Sequence, residues 1–304
     1  MNKRWDVLGI GVVAVDDLLF VERFPQPDTK NPILAQGRQG GGPTATGLVA
    51  AARLGVRAAY CAILGDDELS RFSIAELERE GVDCAAVVRR AGARPHNAHV
   101  IVERTTGVRT ILYSSDGVIN PTAAEITAEL VSSCRVLLMD GYVVETAFCA
   151  VELAQAAGIP IVADVEIGAW PAAAELVRRA NHLIVSLELG QQASGEREPA
   201  AMVAALSHAD RPCCAVTAGE RGCWYAERDG PVHHVPALVV PVVDTTGCGD
   251  VFHGAYAAAI ARGEPAARAI AIANVAAGLK ATQPGGRAGI PNWETVEQVL
   301  ADQG

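Results

Sequence analysis

Asp244-Thr-Thr-Gly-Cys-Gly-Asp250 brings together a glycine loop, a helix start and a lone carboxylate within seven residues. Gly247 and Gly249 permit a positive φ that turns successive N–H groups inward, and a helix beginning near Gly249 adds its positive dipole end. That combination favours an anion. Asp250 then stands where a carboxylate can take the proton of an alcohol as the alcohol attacks a phosphoryl group, while Gly247, Cys248 and Gly249 stabilise the charge. The plain alternative is a helix start in which Asp250 only offsets the dipole. The crowding of the motif behind a strand-like Val239-Val-Pro-Val-Val243 favours chemistry.

Other candidates are weaker alone. Gly40-Gly-Gly42 ahead of a helix lets a ligand approach the backbone, although a strand-to-helix turn with Pro43 in the first helical turn explains it equally. Asp16 ends an apolar run at the edge where open α/β sheets bind ligands; a solvated loop acid is the bland reading. Thr217-Ala-Gly219-Glu-Arg-Gly222 comes after an apolar run and is either a ligand loop or a hairpin turn. His253, alone on a helix, reads as structural. Cys248 reads as a small buried filler, although a helix N-terminus can lower a thiol pKa. Gly9-x-Gly11-x-x-Ala14 matches a dinucleotide fingerprint, yet Val12 and Val13 continue the strand pattern and Pro25 and Pro27 precede any helix. An oxidoreductase therefore lacks its structural context.

The elements that must position these residues alternate. Apolar runs over 7–15, 58–64, 136–139, 159–163, 183–185 and 213–217 predict strands buried on both faces. Helical patterns cover 44–54, 68–80, 145–157, 172–180 and 199–207, with further helices from Pro265 to about 282 and from Asn292. A doubly wound α/β sheet is the economical architecture. Two segments depart from it: 20–39, with Pro25, Pro27 and Pro32, and a hairpin of 98–103 and 108–113 around Thr105-Thr-Gly107.

The 244–250 segment, together with Gly40-Gly-Gly-Pro-Thr-Ala-Thr-Gly-Leu-Val-Ala-Ala-Ala-Arg-Leu-Gly55, resembles the two signatures of the ribokinase-like (pfkB) carbohydrate kinase family. The likeness runs from about residue 6 to about residue 291. It implies one domain over 1–304: a ribokinase-like, mostly parallel doubly wound sheet flanked by helices, with a small β-sheet lid from segments near 18–39 and 96–116. The implied activity is transfer of the γ-phosphoryl group of ATP to a primary hydroxyl of a sugar, with Asp250 as general base and 247–249 as the anion hole. A catalytically degenerate sugar or nucleotide sensor of the same fold is the alternative.

Residue by residue, the resemblance implies sugar contacts from Asp16, Gly41, Gly42 and Thr46, where the family usually carries Asn. It implies ATP contacts from Thr217, Gly219, Gly222 and Asn274. Mg²⁺ is expected with ATP, but the family's Asn-x-x-Glu is replaced by Val185-Ser-Leu-Glu-Leu-Gly-Gln191, leaving Glu188 as the displaced candidate. A monovalent cation such as K⁺ would lie near Asp244, Thr246, Ala281, Pro284 and Gly286. The wording is most similar to the sulfofructose kinase branch, and Lys30 and Arg38 in the expected lid are cations suited to an anionic sugar. Tyr142 stands near that branch's sugar-side arginine, so the sulfonated substrate is not carried over. The family also implies a homodimer paired through the lid.

Composition sets the outer limits. Half of the 304 residues are apolar and 20% are charged, which excludes a disordered or coiled-coil chain. A net charge of −10 argues against a general nucleic-acid or membrane-surface binder. No run approaches the roughly 20 apolar residues of a membrane span. Lys3 and Arg4 lead no signal peptide, because Asp6, Asp16 and Asp17 interrupt the apolar stretch behind them. Eight cysteines without a Cys-x-x-Cys pair read as free thiols of a reducing cytoplasm.

Overall fold

Short apolar strands separated by amphipathic helices can bury their side chains only by stacking helices on both faces of one sheet. The computed structural model, which describes residues 3–106, 108–166 and 171–303, has that arrangement. The first half of the chain forms β1 Trp5–Ile10, β2 Ala14–Val21, β3 Ala35–Gly41, α1 Pro43–Arg53, β4 Ala58–Cys61, β5 Ile63–Leu64, α2 Glu68–Arg79, β6 Val88–Arg89, β7 His96–Glu103, β8 Arg109–Ser114, α3 Ala128–Ser132 and β9 Cys134–Asp140. The second half forms α4 Val144–Ala156, β10 Ile161–Val165, α5 Ala174–Arg179, β11 His182–Ser186, α6 Leu187–Ser194, α7 Pro199–Leu206, β12 Cys213–Thr217, β13 Cys223–Ala226, β14 His233–Val235, α8 Cys248–Arg262, α9 Ala266–Lys280 and α10 Trp293–Gln303.

The main sheet has the order β14-β13-β12-β11-β10-β9-β1-β4, parallel from β12 to β4 and antiparallel at β13 and β14. Alternate side chains serve opposite faces. Val7, Val136 and Ile184 join α1, α8 and α9 in one core, and Leu8, Leu137 and Leu183 join α4, α5 and α7 in the other. α8 is apolar nearly all round, from Val251 to Ala259, because it lies between the sheet, α1 and α9.

The single strand expected over 7–15 is two strands. After Ile10 the chain turns at Gly11, where a Cβ would lie 2.1 Å from Thr44 Oγ1 and 2.2 Å from Asp140 Oδ2, and β2 enters a separate sheet. That sheet has the order β3-β2-β7-β8; its outer pairs are antiparallel and β2/β7 is parallel. It is the small lid sheet. The hairpin position Gly107 lies outside the described residues. The dinucleotide fingerprint fails here as well, since Gly11 leads into a strand rather than a helix.

The 239–243 run is not a strand. Pro241 has no N–H to give a ladder, and Val239, Val242 and Val243 are 97%, 63% and 61% exposed. It is an exposed connection pinned where Val243 N donates to Ala281 O at 2.8 Å.

Candidate active site

Two helix starts meet at the carboxyl edge of the main sheet. α1 begins after Gly42, whose φ of 92° brings the chain against Val12: a Cβ there would lie 2.5 Å from Val12 O. α8 crosses α1 so closely that a Cβ on Gly254 would lie 2.0 Å from Gly47 O, and one on Gly47 would lie 3.2 Å from Asp250 O. Small residues at this crossing therefore hold the first turn of α8, with Asp250, against α1. Buried Asp140, at the end of β9, ties the same edge together. Its Oδ2 accepts from Val12 N at 2.5 Å and Thr44 Oγ1 at 2.8 Å, and its Oδ1 accepts from Tyr142 N at 3.0 Å.

The anion loop is shaped by its own side chains. Asp244 Oδ1 accepts from Thr246 N at 2.8 Å and Thr246 Oγ1 at 2.6 Å, and Oδ2 accepts from Gly285 N at 2.9 Å. Gly247 caps α8 with a φ of 74°, and a Cβ on it would lie 2.9 Å from Gly286 O, so the 281–289 turn packs directly on the loop. Cys248 N is already engaged, donating to Thr245 O at 3.2 Å. The N–H groups of Gly249 and Asp250 have no partner among the described residues, and nothing lies within 4 Å of a Cβ built on Gly249. The first turn of α8 thus offers donors on an open side. Burial raises the Cys248 thiol pKa, opposite to the lowering that a helix N-terminus alone suggests.

Three acids and a histidine set the electrostatics. Burial, then the charges of Asp164 and Glu166, lift the Asp250 pKa well above the usual carboxylate range, against His253 and Arg287. His253 is buried, with Nδ1 facing Gly249 O at 2.8 Å and Nε2 facing Ile184 O at 3.0 Å. Asp164 Oδ2 lies 3.2 Å from Nδ1, an ion pair rather than an aligned hydrogen bond because the N–H points at Gly249 O. Burial opposes the imidazolium, but Asp164 and the two carbonyls prevail and push its pKa to about 9. His253, isolated on its helix, thus touches the anion loop through Gly249 O, in surroundings that favour its protonated form.

Asp16 lies against the 40–42 glycines: a Cβ on Gly41 would lie 2.4 Å from its Oδ2. Burial raises the Asp16 pKa, with Arg287 and Gln39 opposing. Asp16 belongs to β2 of the lid sheet, not to the end of β1. Arg287, buried, donates through Nη2 to Gly41 O at 2.9 Å and through Nε to Thr46 Oγ1 at 3.3 Å. Thr46, where the resemblance expects a sugar contact, is itself buried behind this guanidinium bond. Arg38 is not at the site. Its strand neighbour position pairs it with Asp17, on the face opposite Asp16, where it bonds Asp17 at 2.6 Å and Glu68 at 2.7 Å. Lys30 lies in the exposed 22–34 connection and makes no contact with the site among the described residues.

The residues expected on the ATP side gather at the end of β12. Thr217 Oγ1 donates to Val185 O at 3.4 Å, and a single 3-10 turn, Gly219–Arg221, comes next. Gly222 has a φ of 86°, and a Cβ there would lie 2.1 Å from Val235 O, which accounts for that glycine by packing. Asn274 Nδ2 donates to Pro236 O at 2.8 Å, fixing the wall of the same region. Glu188 is exposed in the first turn of α6, which Ser186 caps by accepting from Leu189 N at 3.3 Å. No cluster of three or more His, Cys, Asp or Glu among the described residues forms a protein metal cage.

Asp140, Asp164, Glu166, Lys280 and Arg287 have no place among the residues that motif and periodicity single out. A signal existed for two: Asp140 and Asp164 each come at the end of a buried strand run, at the edge where ligands bind. Arg287 and Lys280 flank a glycine-rich turn, but nothing local marks either as buried.

Both the fold and the sequence have relatives among known proteins. Fructokinase-1 of Oryza sativa subsp. japonica is 31% identical over 288 residues, covering 86% of this chain and 87% of that protein. A crystal structure from Agrobacterium tumefaciens, provisionally called a ribokinase, superposes with a TM-score of 0.88 at 29% identity over 100% of this chain and 99% of that one. Arabidopsis thaliana ribokinase complexed with ribose and ATP shares the fold, with a TM-score of 0.84 at 20% identity over 99% of each chain. The fold is therefore that of ribokinase. The chain belongs to the pfkB family of carbohydrate kinases, whose model matches residues 6–293.

Proposed function

We propose that the chain transfers the γ-phosphoryl group of ATP to a primary hydroxyl of an uncharged sugar, with Asp250 as the general base. The observation that carries this reading is the part-buried carboxylate of Asp250 beside N–H groups at the start of α8 that have no partner among the described residues. A base of raised pKa accepts a proton more readily from the attacking hydroxyl. The amides of Gly249 and Asp250, with Gly247 shaping the turn, face charge that develops on the phosphoryl group. Their donor direction and the open space at Gly249 fit a phosphate.

ATP would supply the phosphoryl group; Glu188 would orient waters of a Mg²⁺ ion brought by ATP, and that ion would neutralise charge. Thr217, Gly219 and Asn274 would border the nucleotide. Asp16 and the 40–42 backbone would bind sugar hydroxyls. The acceptor is uncharged in this reading because Arg38 is neutralised by Asp17 and Glu68, while Arg287 faces Asp16. The sugars named for the rice and Arabidopsis relatives support the same class. A second copy of the chain would cover the lid, and a cytoplasmic setting would supply ATP.

ADP release measured against pentoses, ketohexoses, nucleosides and acidic sugars tests the acceptor class. Asp250→Asn should lower turnover on the best acceptor by about 10²–10⁴-fold. Calorimetric affinities for ATP and sugar should stay within about threefold, since a neutral isostere keeps the pocket. Near-normal turnover would remove Asp250 from the role.

A further inference from the structure

The cation site implied by the resemblance does not fit the residues present. Lys280, the last residue of α9, is fully buried, and its Nζ donates to Asp244 O at 2.7 Å. Ala281 O already accepts from Val243 N at 2.8 Å and Asp244 N at 3.1 Å, which uses both of its lone pairs. The Asp244 carboxylate is likewise engaged by Thr246 and Gly285, with Arg109 of the lid sheet 3.5 Å from Oδ1. A free monovalent ion would lose these ligands and sit beside a buried ammonium, where like charges repel strongly.

We propose that Lys280 is a tethered cation, whose ammonium ties the anion loop to the end of α9, where the 281–289 turn begins, in place of a bound monovalent ion, so that the chain works without K⁺. The reason such a junction matters is geometric. Gly247, the cap of α8, packs on Gly286, so the position of the turn fixes the helix start that bears Asp250. A covalently attached charge holds that position without an ion-binding equilibrium. Lys280 is thus a positioning residue, and the inference rests on the kinase reading only for its effect on turnover.

The test compares KCl, NH₄Cl and tetramethylammonium chloride at constant ionic strength, on the wild type and on Lys280→Ala and Lys280→Met. The melting temperature is the readout that needs no turnover. For the wild type, melting temperature should be the same in all three salts, and ADP release should agree within about twofold. Lys280→Ala should lose turnover by about tenfold or more and regain part of it in KCl or NH₄Cl, with melting raised by about 2 °C or more in the same salts. Lys280→Met, which fills the space, should not be rescued. Wild-type melting raised by K⁺, or wild-type turnover multiplied about fivefold or more by it, overturns the proposal. So does a folded Lys280→Ala that neither salt stabilises. If no acceptor gives turnover, the kinase reading fails while the melting comparison still decides the role of Lys280; if neither variant folds, the wild-type comparison decides it.

Discussion

At the residue scale, Asp250 in its proposed role as base would tie turnover to its own charge state. Burial, and then the negative charges of Asp164 and Glu166, hold its proton to a higher pH than an ordinary carboxylate. A general base works only when deprotonated, so kcat/KM should fall as pH drops through this raised pKa, above the range where exposed aspartates titrate. Glu166→Gln removes one of the two negative neighbours, the Asp250 pKa falls, and the acid limb moves to lower pH. A pH profile of kcat/KM for both proteins measures this directly, and an unmoved limb would show that Glu166 does not act on the base. The glycine turn and helix start around Asp250 were legible because the whole motif is local in the chain. The His253–Asp164 pair was not, because its members lie on α8 and β10 and meet only when the helix docks on the sheet.

At the scale of elements, the α1–α8 crossing and the first turn of α8 separate two uses of glycine. Gly254→Ala drives a Cβ to 2.0 Å from Gly47 O, so the helices must part. Overpacking of that kind should cost about 1–3 kcal/mol in denaturant unfolding and should also lower turnover, since Asp250 moves with α8. Gly249→Ala meets nothing within 4 Å. Alanine favours a helix over glycine by up to about 1 kcal/mol, so stability should hold or rise. Turnover should nevertheless fall if these amides bind phosphate as proposed, because the new methyl group would cover their open face; unchanged turnover would place the anion elsewhere. Strand and helix positions were largely legible from periodicity. Exceptions include 7–15, where Gly11 redirects the chain into a second sheet, 58–64, which divides between β4 of the main sheet and β5 paired with β6, and 239–243, where Pro241 and exposure outweigh valine's preference for strands; α3, α6, β13 and β14 were not anticipated.

At the scale of the molecule, the lid sheet leaves Val108, Ile111, Leu112 and Tyr113 of one hairpin 54–76% exposed. β8 is also an edge strand. An exposed apolar edge invites pairing, and a second copy presenting the same surface is the symmetric solution. Light scattering should therefore give the mass of a dimer, and Leu112→Asp with Tyr113→Asp should give a monomer that keeps its melting temperature within a few degrees. A wild type that stays monomeric at high micromolar concentration would leave the lid unpaired. No helix among the described residues is long and apolar enough to cross a membrane.

The order of amino acids was enough to specify the class of sheet, a hairpin outside it and the glycine turn that opens a helix at Asp250, because periodicity and turn chemistry act over a few neighbouring residues. Which charges face that carboxylate was settled by packing in three dimensions. Strand alternation turned Arg38 outward, and docking of helices and loops on the sheet brought Arg287, Lys280 and the His253–Asp164 pair inward. Electrostatic partners are chosen by proximity in space and by loss of water, and neither is encoded by spacing along the chain.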